Sequence, residues 1–306
     1  MRTNELEKDL PSSEDLIDYI QYTNQFSWGI ASFSRQKIDE WLSNFTGKAL
    51  NDVKFEQQLA LWLLYNFVYY NETEIRHLNK ILLKKFVHQI LPQKEELSNN
   101  EINDILKEYL FRPLGEISES GGYMSYLFRQ ESNIPLEFFK RSEDKKHEDY
   151  SYVVYIDDMT LSGKTAQGEL KKDIEKYKNA KIFLLTLIAS TDAIDIISKI
   201  GVDIINCITF DNRSKAFSNN SIIFSNLENY KNDCKKMCEY YGKNLAGNKN
   251  SLGFENGQFL FGLAYNTPNN TLPIFWSNKN NWRPIFSRHN KNKSEDGGIK
   301  FDGTFI

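Results

Sequence analysis

Apolar residues recur every three or four positions over about the first 110 residues, which is the period of an amphipathic helix. Ile38, Trp41 and Leu42 have this spacing, and it continues through residues 75–90. Nothing on these apolar faces suggests chemistry. The pattern therefore predicts an all-helical N-terminal domain over residues 1–112.

The pattern changes at Tyr150, where short apolar runs begin to alternate with helical segments. The runs are YSYVVYI, KIFLLTLIAS and VDIINCITF. Strands that alternate with helices form parallel sheets with right-handed crossovers, so we predict an α/β domain over residues 113–306. Ligands of such sheets bind at the carboxyl ends of strands, which is where the turn DDMTLSGKT follows the first run.

The charge balance and the cysteine count exclude several classes of protein. The chain has 38 Lys and Arg against 41 Asp and Glu, a net charge of −3, so it has no overall attraction to nucleic acid or to an anionic membrane. Its three cysteines cannot build a disulfide framework. The N-terminal residues lack the apolar core of a signal peptide. We therefore predict a cytoplasmic protein.

The longest apolar run, from Leu59 to Tyr70, is interrupted by Asn66. It is much shorter than the ~20 residues that a membrane helix needs. We therefore predict a buried core helix here and no interaction with a membrane.

The candidate chemistry lies between Val153 and Thr165. Asp157 and Asp158 are adjacent carboxylates at the predicted end of a strand, and such a pair is costly unless a cation or hydroxyl groups meet it. A turn rich in small and hydroxyl residues follows and opens a helix, where free N–H groups and the helix dipole favour a phosphate. The turn consists of Thr160, Leu161, Ser162, Gly163, Lys164 and Thr165. The pattern indicates a sugar-phosphate site.

This run resembles the motif of the type I phosphoribosyltransferases, in which two acids follow a hydrophobic strand and Thr-Gly-small-Thr opens a helix. The tetrad at residues 162–165 departs from it, with Ser for the first Thr and Lys for the small residue. The resemblance implies a type I phosphoribosyltransferase-like parallel sheet flanked by helices, and phosphoribosyl pyrophosphate or a related ribonucleotide as ligand. It implies that residues 160–165 hold the 5′-phosphate. Asp157 and Asp158 would contact the ribose hydroxyls directly or through hydrated Mg²⁺.

The family's order of elements extends the resemblance upstream. LFRPLGEI would be the first core strand, GYMSYLFRQ the helix that follows it, and IPLEFF the second strand. Lys140 to His147 would form the mobile catalytic loop. The pyrophosphate loop would include Ser118, Ser120, Gly121 and Gly122, whose glycines let a backbone approach an anion closely.

The C-terminal segment is dense in amides and hydroxyls from Asn266 to Thr271, and Trp276 follows. It resembles the tail of PRTase-CE proteins, divergent phosphoribosyltransferase-like proteins of bacterial conflict and antiphage loci, which implies a role in antiviral defence. Amides beside an aromatic ring can bind a base or a ribose. Asn266, Asn270 and Trp276 are therefore candidate base or acceptor residues, although Asn-Pro and Asn-Asn also form ordinary turns.

Three other motifs share features with this run. A Walker A loop requires a glycine where Asp158 stands. Tyr155–Asp158 matches the Tyr-x-Asp-Asp motif of reverse transcriptases, a nucleotidyl-transferase site, but that site needs an antiparallel hairpin through the acids. A phospho-receiver domain would need its phosphoacceptor two strands after the acid pair, a position that Asp211 would fill only if Asp157 followed the first strand of the sheet.

Functions without transfer chemistry also fit the sequence, because nothing in it identifies an acceptor base. The chain would then be a degenerate nucleotide-binding regulator, and its helical domain would bind a partner protein or nucleic acid. A local basic cluster could assist, consisting of Lys279, Arg283, Arg288, Lys291 and Lys293. The resemblance to conflict systems also allows a toxic effector that acts on nucleotides or nucleic acid.

Overall fold

The computed structural model describes residues 9–90, 98–116, 119–140, 146–286 and 288. Its helices are α1 (Ser13–Thr23), α2 (Arg35–Leu42), α3 (Val53–Tyr65), α4 (Glu72–Ile90), α5 (Asn99–Leu106), α6 (Ser120–Ser132), α7 (Lys164–Ile174), α8 (Thr191–Ser198), α9 (Glu228–Ala246) and α10 (Pro273–Trp276). Its strands are β1 (Val68–Tyr70), β2 (Tyr109–Pro113), β3 (Tyr152–Thr160), β4 (Lys181–Ser190), β5 (Asp203–Phe210) and β6 (Phe261–Leu263).

A parallel sheet contains β2, β3, β4 and β5 in that order. Phe111 lies opposite Val154 in its register, and Ile156 lies opposite Leu185. Apart from its first residue, β4 is buried throughout, as expected for a strand that is covered on both faces. The predicted parallel sheet flanked by helices is confirmed.

Helices cover both faces of this sheet. Val154 and Ile156 of β3 belong to the core formed with α4 and α6, whereas Val153 and Tyr155 belong to the core formed with α7 and α8. All four side chains are almost fully buried. Burying a valine or isoleucine in this way stabilises a fold by roughly 1.5–3 kcal/mol, so the end of β3 is held firmly in place.

The N-terminal helices pack against the C-terminal segment. Trp41 of α2 stacks on Phe275 with ring centroids 5.5 Å apart, and its indole N–H donates to the carbonyl oxygen of Ile274 at 2.8 Å. Strand β1 pairs in parallel with β6. The N-terminal part is mainly helical as predicted, with β1 and β2 as exceptions. The boundary at residue 112 stays a prediction, and the core of α1, α2 and α3 also contains residues after position 215.

The elements upstream of the acid pair follow the predicted order with one difference. The first core strand is β2, and the helix after it is α6. The second strand predicted at IPLEFF is wrong, because Leu136–Phe139 form a 3₁₀-helix. Pro135 precedes it and has no N–H to offer a sheet, and the ring of Phe139 stacks on Phe111 at 5.2 Å. This segment therefore packs on the sheet instead of extending it.

Within the described ranges, no helix has both the length and the apolar character needed to cross a membrane. The apolar run that begins at Leu59 is helical only as far as Tyr65, and its last residues form β1. Of the predicted mobile loop, residues 141–145 lie outside the described part of the chain.

Candidate functional site

Asp157 and Asp158 lie near the carboxyl end of β3 and accept hydrogen bonds from three segments. Asp157 Oδ1 accepts the Ser120 hydroxyl at 3.2 Å and the Asp158 N–H at 2.9 Å. Asp158 Oδ1 accepts the Met159 N–H at 2.8 Å, and its Oδ2 accepts the Tyr265 hydroxyl at 3.1 Å. Asp158 is only 4% exposed. The donors come from the start of α6, from β3 itself and from the chain after β6.

Burial raises the pKa of both carboxyl groups. For Asp157 the neighbouring charge of Asp158 adds to the effect of burial, so its pKa lies well above that of an ordinary aspartate. Burial also raises the pKa of Asp158, although the hydrogen bonds that it accepts oppose this shift. Burial and the charge of Asp158 raise the pKa of Tyr265 as well, so its hydroxyl stays protonated and can donate. The pair is therefore harder to ionise than ordinary aspartates, and a cation bound nearby would favour its charged form.

Local contacts hold the turn after the acid pair in one conformation. Gly163 has a φ of 70°, which glycine adopts readily, and a Cβ there would meet the Cα of Ala193 at 3.0 Å. The Leu161 carbonyl accepts the Ser190 hydroxyl at 2.5 Å, which ties the turn to the end of β4. Helix α7 begins at Lys164, and the first N–H groups of a helix have no acceptor within it. Such a turn suits an anion.

The chain after β6 brings the amide-rich loop to the same place. The Asn270 side-chain amide donates to the Phe254 carbonyl at 3.0 Å. A Cβ on Gly253 or Gly257 would lie 2.4 or 2.5 Å from the Asn270 carbonyl oxygen, so only glycine allows this close approach. The loop that begins at Asn266 is thereby fixed beside the acid pair.

These segments enclose a pocket of about 310 Å³, near the lower limit for small-molecule sites. The predicted residues that line it are Ser120, Asp157, Asp158, Thr160, Leu161, Ser162, Gly163, Thr165, Asn266 and Asn270. The fold therefore brings the amide-rich loop, which lies far along the sequence, next to the acid pair and the helix-opening turn that follows it.

The remaining predicted site residues that the structure describes are not part of this lining, and they are Gly121, Gly122, Lys164 and Trp276. The Lys164 ammonium pairs with the Glu255 carboxylate at 2.6 Å. The Trp276 indole N–H donates to the Thr271 carbonyl at 2.8 Å, and the Arg288 guanidinium lies 5.2 Å from the centre of its ring. The role of Trp276 as a base platform stays a prediction.

The predicted pyrophosphate loop differs in conformation from what the sequence suggested. Ser118 lies outside the described residues, and α6 already begins at Ser120, so residues 120–122 form a helical turn. A Cβ on Gly121 would lie 2.2 Å from the Leu114 carbonyl oxygen. Gly121 therefore allows the helix to pack against the chain after β2, while Ser120 reaches the site through Asp157. Whether this turn binds pyrophosphate stays a prediction.

The sequence analysis missed two polar residues of the site that lie outside the predicted motifs. Tyr265 contacts Asp158, and its only signal was its position directly before the amide-rich loop. Arg288 was noted only as part of a basic cluster, yet it lines the pocket. The other lining residues that were missed are Met159, Ala166, Phe254, Pro268 and Asn269.

The oxygen atoms of the acid pair are the groups in this pocket that could bind a metal ion. Among the described residues, no cluster of three or more His, Cys, Asp or Glu could hold one. Mg²⁺ commonly binds one or two carboxylates and takes its other ligands from water and phosphate. Asp157 and Asp158 fit such an ion, which would depend on ligand and water oxygens for the rest of its coordination.

A larger cavity of about 640 Å³ lies between β2 and α7, but several of its charged groups are paired with one another. Asp173 accepts the Tyr155 hydroxyl at 2.6 Å and the Lys176 ammonium at 2.6 Å. Arg112 donates to the Tyr177 hydroxyl at 2.8 Å. We therefore regard the smaller pocket, whose adjacent acids repel each other, as the better candidate site.

An acid pair and a helix-opening turn near the end of a parallel strand define a phosphoribosyltransferase-like α/β protein. A model of the PRTase-CE family matches residues 38–288, and the chain belongs to this family. No curated protein matches it in sequence.

Two solved structures are similar to part of the chain. The AQ2163 protein of Aquifex aeolicus is 15% identical over 58% of this chain and 86% of its own, with a TM-score of 0.31. The orotate phosphoribosyltransferase of Aeropyrum pernix is 14% identical over 45% of this chain and 72% of its own, with a TM-score of 0.28. Similarity at this level carries no argument about activity.

Proposed function

We propose that this protein binds phosphoribosyl pyrophosphate or a related ribonucleotide together with Mg²⁺, and that it transfers the phosphoribosyl group to an acceptor. The observation that carries the proposal is that the acid pair, the helix-opening turn and the amide-rich loop line the same pocket. Acids suit a sugar diol, and the turn suits a phosphate about one ribose away.

Each part of the pocket has a proposed task. The amides and hydroxyls of residues 160–165 hold the 5′-phosphate. Asp157 and Asp158 bind the ribose hydroxyls, and their charge stabilises the positive charge that grows on the ribose ring as pyrophosphate leaves. Tyr265 orients Asp158 through its hydroxyl. Bound Mg²⁺ would neutralise phosphate charge on the ligand.

Calorimetric titration of the full chain with phosphoribosyl pyrophosphate and Mg²⁺ tests the binding step. We expect the double variant Asp157→Asn, Asp158→Asn to bind at least about tenfold more weakly, since each lost charge-assisted hydrogen bond is worth roughly 1.5–3 kcal/mol. Asp18→Asn with Asp195→Asn is a matched control, because it makes the same charge change at two exposed positions. Unchanged binding by the folded Asp157, Asp158 variant would refute the proposal.

A ligand-sensing role without transfer is the second candidate. The observation that favours it is the contact between Arg288 and Trp276, because this cation covers one face of the ring proposed as a base platform. Pyrophosphate release in the presence of any acceptor base would eliminate this candidate.

A role in antiphage defence is proposed from the family alone. Growth arrest on expression that the Asp157→Asn, Asp158→Asn variant abolishes would support a toxic effector. Equal arrest by both forms would show that the pocket is not responsible.

A further inference from the structure

Arg288 lies in the pocket wall and is held from two sides. Its Nη1 donates to the Thr267 carbonyl oxygen at 2.7 Å. Its guanidinium lies 5.2 Å from the ring centre of Trp276, within the range of a cation–π contact. Trp276 is itself held by its hydrogen bond to the Thr271 carbonyl. Arg288 is therefore positioned by the amide-rich segment rather than extended into solvent.

The charge of Arg288 is not neutralised by an ion pair. In the part of the chain that the structure describes, no carboxylate lies close enough to form one, and the protein acceptor of the guanidinium is a neutral carbonyl. Asp158 acts on it only as a charge at longer range. Burial lowers the pKa of Arg288, but an arginine stays charged. The pocket thus contains a half-buried cation that has N–H donors to spare.

This cation and the helix-opening turn lie on different segments of the chain and line the same pocket. The turn begins at the end of β3, and all its residues except Lys164 line the pocket, whereas Arg288 follows the amide-rich loop. The acid pair also lines it. A pyrophosphate-bearing ligand could place its sugar against the acids and its 5′-phosphate in the turn. Its pyrophosphate, a second anionic group, would then still need a binding partner.

We propose that Arg288 is a specificity-determining residue that binds this second anionic group, and that it selects pyrophosphate-bearing ligands over monophosphates. The inference rests on the proposed function and deepens it. A guanidinium suits the task because its planar fork can donate two parallel hydrogen bonds to phosphate oxygens. Trp276 and Thr267 serve as positioning residues for this fork.

The test compares ligands with and without the second anionic group. The full chain is titrated with phosphoribosyl pyrophosphate and with ribose 5-phosphate, each with Mg²⁺. We expect Arg288→Gln to weaken phosphoribosyl pyrophosphate binding about tenfold to a hundredfold, and to change ribose 5-phosphate binding less than about twofold. Arg288→Lys should retain part of the preference, because lysine keeps the charge but loses the fork. Arg283→Gln is the control, since Arg283 is exposed and, among the described residues, hydrogen-bonds only through its backbone, to Asn44.

Two outcomes would overturn the inference while leaving the proposed function intact. One is equal weakening of both ligands in Arg288→Gln, and the other is no weakening of either. If folded wild type binds neither ligand, the proposed function fails, and titration with inorganic pyrophosphate then decides the inference. If wild type binds inorganic pyrophosphate and Arg288→Gln does not, the anion site at Arg288 is supported. If wild type does not bind inorganic pyrophosphate, or if Arg288→Gln binds it equally well, the inference is refuted.

Discussion

Two regions of this molecule bury carboxylates, and they differ in how many hydrogen-bond donors each carboxylate receives. Glu56, on α3, accepts the backbone N–H groups of Gly47, Ala49 and Leu50 at 2.9, 2.8 and 2.8 Å, and the Tyr241 hydroxyl at 2.5 Å. At the end of β3, two adjacent carboxylates share four donors, two of which are N–H groups of the pair's own strand.

The difference shows that burial alone does not identify a functional acid. Glu56 is a single charge met by four donors, and it clamps the loop at residues 47–50 onto α3. Asp157 and Asp158 resist ionisation because both are buried and because the charge of Asp158 raises the pKa of Asp157 further. Their ionised form would be stabilised by a cation or by hydroxyl donors of a ligand. We therefore propose the adjacent acid pair, and not the single acid Glu56, as the ligand site.

Removing the structural acid should have the largest effect on stability. Glu56→Ala leaves one buried and two part-buried backbone N–H groups without this acceptor, so we expect a loss of roughly 3–5 kcal/mol in the free energy of unfolding. Glu56→Gln should cost less, because its carbonyl oxygen still accepts. Chemical denaturation followed by circular dichroism measures both. A loss below about 1 kcal/mol in Glu56→Ala would mean that water replaces the carboxylate.

Removing the proposed ligand-binding acids should raise stability instead of lowering it. Because the folded pair holds its protons at a higher pH than unfolded aspartates do, wild-type stability falls as the pH rises from about 4 through the raised pKa values. Asp157→Asn with Asp158→Asn removes this loss. We expect the double variant to match wild type near pH 4 and to exceed it by on the order of 1–3 kcal/mol above the raised pKa values.

Thermal melts of both proteins between about pH 4 and 8 measure the difference. The control pair Asp18→Asn, Asp195→Asn should not show the pH-dependent gap, because both residues are exposed. A double variant that is less stable than wild type at neutral pH would show that the pair is structural, like Glu56.

Much of the sheet could be predicted because its strands have continuous apolar sequences, and β4 is buried on both faces beyond its first residue. β3, β4 and β5, with α7 and α8 between them, follow directly from that pattern. A short apolar run shows neither the helical nor the strand period, so its sequence cannot tell a helix from a strand. The wrong prediction of a strand at residues 134–139 came from this ambiguity. Pro135 was the local signal against a strand.

The site could be predicted where it is local in sequence and not where the fold assembles it. Asp157, Asp158 and the turn after them are contiguous, so their order alone suggested a phosphate site. Tyr265 and Arg288 reach the pocket only through tertiary packing, and no spacing in the sequence connects them to the acids. The contact of Gly121 with the Leu114 carbonyl oxygen, just after β2, likewise depends on how α6 packs.

The two tyrosines that donate to these acids offer a smaller, matched test. Tyr241→Phe removes a hydrogen bond to the charged Glu56, and we expect a loss of about 1.5 kcal/mol. Tyr265→Phe removes the equivalent bond to Asp158, and we expect a loss below about 0.5 kcal/mol because a carboxyl group with a raised pKa can take up a proton instead.

For ligand affinity we expect the reverse order, with the larger effect in Tyr265→Phe. Tyr265→Phe should weaken binding of phosphoribosyl pyrophosphate severalfold by releasing Asp158, whereas Tyr241→Phe should leave it unchanged in the folded protein. If both variants changed stability equally and affinity equally, the distinction between the structural acid Glu56 and the proposed ligand-binding acids would be wrong.

We expect the smallest change in stability and in ligand affinity when an ion pair at the surface is broken. Lys164 and Glu255 form an ion pair with 61% and 39% of their side-chain surfaces exposed. Such pairs are worth about 0–1 kcal/mol, so Lys164→Ala should change stability by less than that and phosphoribosyl pyrophosphate affinity by less than about twofold. Lys172→Ala is the matched control, because Lys172 lies on the same helix and pairs with Glu169 at similar exposure. A tenfold loss of affinity in Lys164→Ala alone would mean that Lys164 leaves Glu255 to bind the ligand, and the helix-opening turn would then contribute a charged side chain as well as its backbone.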